Sequence, residues 1–184
     1  MTVEEYKKLL ANQKKTSASN PYKQMIGRNS RAVGSYFEDL IERSCLWYQE
    51  AGQAFIEKTP EPMKPLMPAE KPGQFIACYT KQAQPDYKGT CLGGKSIVFE
   101  AKHTDADRIL RNRVSDEQMA ALALHSTMGA SVFVLLSFGL ARFFIVPWGK
   151  WKNMKAEYGR LYVTPDDLAK YEVPFTGHVI KFLR

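Results

Sequence analysis

The chain has 184 residues, of which 45% are hydrophobic and 24% are charged, so it fits one folded domain and excludes collagen-like and wholly disordered proteins. Three cysteines without metal-ligand or disulfide spacing, and a first segment without the apolar stretch of a secretory signal, predict a cytoplasmic protein. The net charge of +7 lies at the ends: residues 1–31 carry seven basic and two acidic side chains, and residues 147–184 carry seven and four. Basic ends favour a polyanionic partner or, alternatively, are an ordinary solvated surface.

The N-terminal residues lack the apolar periodicity that begins at Gly34. Residues 1–33 contain a short helical stretch and then a polar run, which together predict a flexible basic N-terminal arm. From Gly34 an i, i+3, i+4 apolar series predicts one amphipathic helix that ends near Gly52. The members of this series are Phe37, Leu40, Ile41, Cys45 and Tyr48. A short apolar run then predicts a strand over Gln53–Lys58.

A proline-rich segment follows this strand. Residues 59–73 include five prolines, a density that predicts an extended excursion without regular structure. Alternating side chains predict a strand over Gln74–Lys81, with Lys95–His103 as its antiparallel partner. The link between them contains PDYKGTCLGG (85–94), whose glycines predict a turn-rich connection.

The second half of the chain completes a mixed α and β pattern. Met119–Ala141 has no Asp, Glu, Lys or Arg over 23 residues, a length that could cross a bilayer as a helix. Its polar residues and its β-branched second half instead favour a helix followed by a buried strand. The pattern predicts an α/β fold in which helices flank a mixed central β-sheet. The remaining predicted elements are a helix over Ser115–Met128, strands over Ser131–Phe138 and Ala141–Trp148, a short helix from Thr164 and a strand near His178–Leu183.

One predicted strand carries charged side chains in a run otherwise suited to burial. On a strand Glu100 and Lys102 share one face, and Asp86 reaches the same place if the two segments pair. Buried charges are costly unless they are paired or bind a metal. Two carboxylates here could hold Mg²⁺ for phosphodiester hydrolysis, with the lysine amine orienting water or stabilising charge. The alternative is a solvated Glu–Lys ion pair on an edge strand.

Five segments carry a resemblance to a known family. They are Gly34–Glu38, IEKTPEP at 56–62, YTKQAQPDYKG at 79–89, IVFEAKHT at 97–104 and VSDEQMAAL at 114–122. In this order they resemble the RecU-type Holliday junction resolvases of the PD-(D/E)XK nuclease superfamily, and D-Y-x-G and F-E-A-K-x-T are the most specific. The resemblance implies a restriction-endonuclease-like nuclease domain over residues 34–184, with a stalk region at 59–81 that protrudes between early strands.

The resemblance also implies site residues. Asp86 and Glu100 would be the metal-binding carboxylates and Lys102 the catalytic lysine, with Mg²⁺ as the cofactor and Mn²⁺ as a substitute. Two further residues are implied to be catalytic: Glu38, otherwise a solvated helix residue, and Gln118, otherwise a surface amide. The residues implied to contact DNA are Arg28, Arg31, Lys58, Lys64, Lys71 and Lys81.

The implied function is a Mg²⁺-dependent, structure-selective endonuclease that resolves four-way DNA junctions by symmetric paired nicks in recombination and repair. The expected assembly is a homodimer, because a two-fold axis matches the symmetry of a junction, and recombinase proteins are further candidate partners. Two alternatives stay open: another nuclease of the superfamily that cuts flaps, ends or duplex sites, and a non-catalytic junction-binding scaffold. The sequence departs from the family at Glu117, where His is usual, and in a shorter stalk, and both differences bear on junction selectivity.

Overall fold

The computed structural model describes residues 21–60, 62–80 and 84–183, with side chains from residue 32 onward. Two short 3₁₀ helices cover Arg111–Arg113 and Ala169–Tyr171. The α-helices are α1 (Pro21–Glu50), α2 (Asp116–Thr127), α3 (Trp148–Lys152) and α4 (Met154–Tyr158). The strands are β1 (Ala54–Lys58), β2 (Met63–Pro68), β3 (Phe75–Tyr79), β4 (Tyr87–Cys91), β5 (Ser96–Thr104), β6 (Ile109–Leu110), β7 (Ser131–Phe138), β8 (Arg142–Pro147), β9 (Tyr162–Val163) and β10 (Glu172–Val173).

Six strands form the main sheet in the order β1-β4-β5-β7-β8-β10. β5 and β7 run parallel, and the other neighbouring pairs in this sheet are antiparallel. Alternate side chains of β5 and β7 enter two separate cores, one shared with α1 and the other with α2, α3 and α4. The predicted fold class, a mixed central β-sheet flanked by helices, is therefore confirmed.

Helix α1 buries the apolar series that the sequence predicted, since all five of its members are at most 6% exposed. The predicted start at Gly34 was wrong, because the helix begins at Pro21. Proline is well tolerated at a first helical position, and each later residue needs only one further hydrogen bond to extend the helix. Residues 21–33 of the predicted arm therefore have helical backbone, and residues 1–20 lie outside the described residues.

Strands β2 and β3 form a separate hairpin in the smaller of two compact units of the chain. The absence of regular structure predicted for residues 59–73 was wrong, as was the predicted pairing of the next strand with Lys95–His103. In a two-stranded sheet both strands are edges, where proline is tolerated, and the register shifts between Pro65 and Met67. That the hairpin acts as a protruding stalk stays a prediction.

Strand β4 lies in the segment predicted as a turn-rich link, so that prediction was wrong. It pairs with both β1 and β5, which places it inside the main sheet. Gly89 is needed here for close approach and not for a turn. A Cβ atom at this position would collide with the Phe55 carbonyl oxygen and lie 2.6 Å from the Ile56 Cα atom.

Replacing Gly89 with Ala is expected to lower the free energy of unfolding by about 2–3 kcal/mol, because the backbone of β1 must move away from β4. Gly149 is a matched control, since its Cβ would meet nothing within 4 Å and it lies in a helix. Gly149→Ala should leave stability unchanged or raise it by about 0.5–1 kcal/mol. Urea denaturation measures both, and equal effects of the two substitutions would contradict this role for Gly89.

The elements between residues 115 and 148 follow the predictions, whereas the later ones do not. The run Met119–Ala141 divides between α2 and β7, and among the described helices none is long and apolar enough to cross a membrane. The helix predicted from Thr164 was wrong, since turns and a 3₁₀ helix follow it. The Asp167 carboxylate accepts a hydrogen bond from the Thr164 N–H at 2.8 Å, and this local bond holds a turn instead.

The C-terminal segment buries Ile180 and Phe182, and Ile180 forms an isolated bridge with Phe175. It does not form a strand, so the strand predicted near His178–Leu183 was wrong. Its backbone bonds to side chains of α1: the Ile180 N–H donates to Ser44 Oγ at 2.9 Å, and the Leu183 N–H donates to Tyr48 Oη at 2.9 Å. Two donors of the segment are thus satisfied by helix side chains, and the Lys181 N–H donates to the Pro174 carbonyl oxygen at 2.9 Å, so these groups are satisfied without a continuous strand.

Candidate active site

Three stacked aromatic rings set the register of β4, β5 and β7. Tyr87 stacks on Phe99 with 4.9 Å between ring centroids, and Phe99 stacks on Phe133 with 4.8 Å. Each pair is also a cross-strand neighbour pair in the sheet. Because side chains alternate along a strand, Asp86 and Glu100, each next to a stacked ring, lie on the opposite face of the sheet. The aromatic ladder thus brings two acidic side chains together.

One amine connects these two acids. Lys102 Nζ lies 2.8 Å from Glu100 Oε2 and 3.2 Å from Asp86 Oδ2. The Ala101 N–H donates to Asp86 Oδ2 at 2.9 Å, which fixes Asp86 against β5. The structure therefore brings together the three side chains that the sequence singled out, and their catalytic roles stay a proposal.

Burial dominates the electrostatics of this cluster. Glu100 is fully buried, and burial, together with the nearby Asp86 charge, raises its pKa in spite of the opposing effect of Lys102. Burial alone would lower the pKa of the Lys102 amine, but the Asp86 and Glu100 carboxylates outweigh it and hold that pKa above its usual value. A cation beside Glu100 would favour its ionised form.

One oxygen of this cluster is left unsatisfied. Glu100 Oε1 is buried and has no hydrogen-bond partner in the described part of the chain. Such an oxygen costs free energy unless a donor or a cation meets it. Within the described residues no group of three or more His, Cys, Asp or Glu is arranged to hold a metal. Two carboxylates fit Mg²⁺ or Mn²⁺, since Mg²⁺ commonly binds one or two carboxylates and keeps several waters.

Helix α2 places Gln118 against the same carboxylate. Its Nε2 donates to Glu100 Oε2 at 2.7 Å, and its Oε1 accepts from the Ser115 N–H at 3.1 Å. The Ser115 hydroxyl in turn accepts from the Gln118 N–H, which completes a capping box at the start of α2. The sequence reasoning did not single out Ser115, although Ser-x-x-Gln before an apolar helix is the signal for this arrangement.

Glu38 lies in a different set of contacts. Its Oε2 accepts from Lys58 Nζ at 2.8 Å, and the same amine lies 3.5 Å from Glu42 Oε1. All three side chains are between 43% and 49% exposed, so these ion pairs are worth less than about 1 kcal/mol each. The implied catalytic role of Glu38 and the implied DNA contact of Lys58 stay predictions, and the structure pairs the two residues with each other.

The other implied DNA-contacting residues divide into two groups. Lys64 lies on β2 and Lys71 in the turn that follows it, and both are exposed. The side chains of Arg28, Arg31 and Lys81 lie outside the described residues. Contact of any of these side chains with DNA stays a prediction.

Comparison with known proteins adds to this geometry. Similar chains include the Holliday junction resolvases RecU of Streptococcus pneumoniae serotype 19F (strain G54) and of its strain ATCC BAA-255 / R6, each 26% identical over 172 residues, covering 84% of this chain and 83% of the relative. Among solved structures, Hjc of Archaeoglobus fulgidus, a Holliday junction resolvase, has a TM-score of 0.46 and 13% identity, covering 74% of this chain and 93% of that chain.

The family comparison covers most of the chain. The model of the RecU family, described as Recombination protein U, matches residues 32–182. This range contains Asp86, Glu100, Lys102 and Gln118 as well as the aromatic ladder that positions them. As its segments predicted and the match over residues 32–182 shows, the chain belongs to the RecU family.

Proposed function

We propose that this chain is a Holliday junction resolvase, an endonuclease that hydrolyses phosphodiester bonds of four-way DNA junctions with a divalent cation, Mg²⁺ or Mn²⁺. The observation that carries the proposal is the cluster of Asp86, Glu100 and Lys102, in which a buried carboxylate oxygen has no described partner, within a RecU-family chain.

The cluster suits hydrolysis of a phosphodiester. Asp86 and Glu100 would hold the cation, which when bound supplies a water of lowered pKa and offsets charge on the phosphoryl group. Lys102 forms ion pairs with both carboxylates, and its charge opposes the rise that burial causes in the pKa of Glu100. An ammonium carries three protons and two point at these acids, so the third can be donated to water or to a phosphate oxygen.

Selection of a junction would come from its shape and charge. We propose that Lys64 and Lys71 on the hairpin, together with Lys58, Lys81, Arg28 and Arg31, contact phosphates, which position DNA without reading its sequence. Two symmetric nicks need two sites, so we propose a two-fold symmetric homodimer with one site in each copy. Recombinase proteins are candidate partners, and DNA as the substrate is consistent with the cytoplasmic location that the sequence predicts.

The decisive experiment offers the wild-type chain a mobile four-way junction, a linear duplex and a flap side by side, with Mg²⁺, with Mn²⁺ and with EDTA. We expect paired nicks at symmetric positions of the junction alone, and no cleavage in EDTA. Cleavage of flaps or duplex at equal rates would favour another nuclease of the superfamily. Tight junction binding without cleavage in either cation would leave a non-catalytic scaffold.

A further inference from the structure

We propose that Ser115 is a positioning residue for the cation site, acting through Gln118 on Glu100. This inference rests on the proposed function, because it assigns Ser115 to the same site. Three hydrogen bonds carry it: Gln118 N–H to Ser115 Oγ at 3.2 Å, Ser115 N–H to Gln118 Oε1 at 3.1 Å, and Gln118 Nε2 to Glu100 Oε2 at 2.7 Å.

The two Ser115 bonds have different effects on Gln118. The hydroxyl holds the backbone of Gln118 in the first turn of α2. The Ser115 N–H holds the side-chain oxygen, and so it decides which end of the amide faces Glu100. A reversed amide would place an oxygen against the carboxylate and lose the donor, which is unfavourable. Ser115 thereby selects the amide orientation that donates to the acid.

The two carboxylate oxygens of Glu100 therefore differ in their contacts. Oε2 accepts from both Gln118 and Lys102, whereas Oε1 is buried and has no described partner. Two donors on one oxygen fix the plane and direction of the carboxylate, so the other oxygen has a fixed direction as well. A ligand held in a set direction needs less ordering when it binds a cation, and loss of such support typically weakens metal affinity about 10–100-fold.

The backbone at Ser115 allows one variant to remove the hydroxyl bond alone and another to remove both bonds. Its φ of −66° is the angle that proline requires, and the preceding Val114 has φ −99° and ψ 116°, which suits a residue before proline. Ser115→Ala removes the hydroxyl and keeps the N–H, whereas Ser115→Pro removes both. The difference between these variants therefore reports the N–H that orients the amide. Ser115→Thr keeps both groups.

The test measures Mn²⁺ affinity by calorimetry on the full chain without DNA. We expect Ser115→Pro to weaken binding about 10–100-fold, Ser115→Ala to weaken it less, and Ser115→Thr to restore it. Junction cleavage should show a lower kcat at unchanged KM in the same order. The control is Thr164→Ala, which removes a hydroxyl that bonds Asp167 elsewhere in the fold and should leave Mn²⁺ affinity unchanged.

A second measurement needs no cation. In nitrogen-15 NMR spectra of the metal-free protein, the Gln118 side-chain amide should be shifted from the position of a free glutamine, and Ser115→Pro should move it to that position. Wild type that neither binds Mn²⁺ nor cleaves would overturn the proposed function and, with it, the role of Ser115 at a cation site. Wild type that binds Mn²⁺, with both Ser115→Pro and Ser115→Ala binding equally tightly and giving an unmoved Gln118 signal, overturns this inference alone.

Discussion

Replacing Glu100 with Gln is expected to slow junction cleavage by more than about 100-fold, because loss of a direct ligand should exceed the effect of losing a supporting residue. The side chains have the same shape, so the amide oxygen can take the place of Oε2 and still accept from Lys102 and Gln118. The amide nitrogen then occupies the position of Oε1, where it cannot bind a cation. The substitution removes the proposed ligand and keeps the surrounding contacts.

The same substitution should not weaken the fold. Glu100 is fully buried beside a second acid, and both burial and that neighbouring charge disfavour its ionised form. Neutralising it is expected to leave the free energy of unfolding unchanged or to raise it by about 1 kcal/mol, because the cost of burying a charge is removed. Cleavage rates test the expected loss of activity, and urea denaturation tests the expected free energy of unfolding.

A matched control is Glu157→Gln, which removes the same charge from a surface ion pair with Lys150. It should change neither cleavage nor stability measurably, because an exposed ion pair contributes little. Cleavage by Glu100→Gln at the wild-type rate would remove Glu100 from the proposed cation site. A large loss of stability would instead mean that its charge supports the fold.

Replacing Lys102 with Met is expected to have the largest effect on stability. It leaves two neighbouring carboxylates, one of them fully buried, without the amine that both contact. Breaking a buried pair on one side usually costs about 3–5 kcal/mol, and since the Asp86 side chain is 33% exposed we expect about 2–4 kcal/mol in metal-free buffer. Cleavage should fall about 100–1000-fold with the loss of a charge beside the reacting groups.

A divalent cation should restore part of this stability. If Asp86 and Glu100 hold a cation, Mn²⁺ would replace the positive charge that the variant removes beside these two side chains. Its binding to the folded state would raise the free energy of unfolding. Urea denaturation of Lys102→Met with and without Mn²⁺ measures this. No change on adding Mn²⁺ would argue against a cation at these carboxylates.

Lys95→Met is the control for this experiment. Lys95 lies between the turn after β4 and the start of β5, and its amine donates to the Gly129 carbonyl oxygen at 2.6 Å on the surface. Its replacement should cost less than about 1 kcal/mol and should not respond to Mn²⁺. A similar loss in both lysine variants would mean that the effect of Lys102→Met is not due to the buried acids.

Local sequence was sufficient to predict those elements whose pattern of apolar side chains identifies the buried face. The apolar series of α1 predicted the face that packs on the sheet, and the largely apolar β7 was predicted with its observed bounds. The alternation along β5 correctly placed Glu100 and Lys102 on one face. These predictions succeeded because a period of 3.6 or 2 residues fixes which side chains share a face, whatever the partner is.

The partners themselves were decided by tertiary contacts. Gly89 lies in a segment with the composition of a turn, yet it belongs to a strand, where the β1 backbone passes too close for a side chain. Residues near Ile180 have the pattern of a strand, yet the Ile180 and Leu183 N–H groups donate to Ser44 and Tyr48 on α1. In both cases the deciding contact comes from a distant part of the chain, so local pattern could not reveal it.

The candidate site likewise depends partly on local sequence and partly on tertiary contacts. Sequence by itself determined the chemical groups: two carboxylates, an amine and an amide in segments that resemble one family. Only the tertiary structure decided that Asp86 meets Glu100 across paired strands, that Gln118 is oriented by Ser115, and that Glu38 binds Lys58. The physical reason is that the identity of a side chain fixes what it can bond, whereas strand register and helix placement decide which groups come within bonding distance.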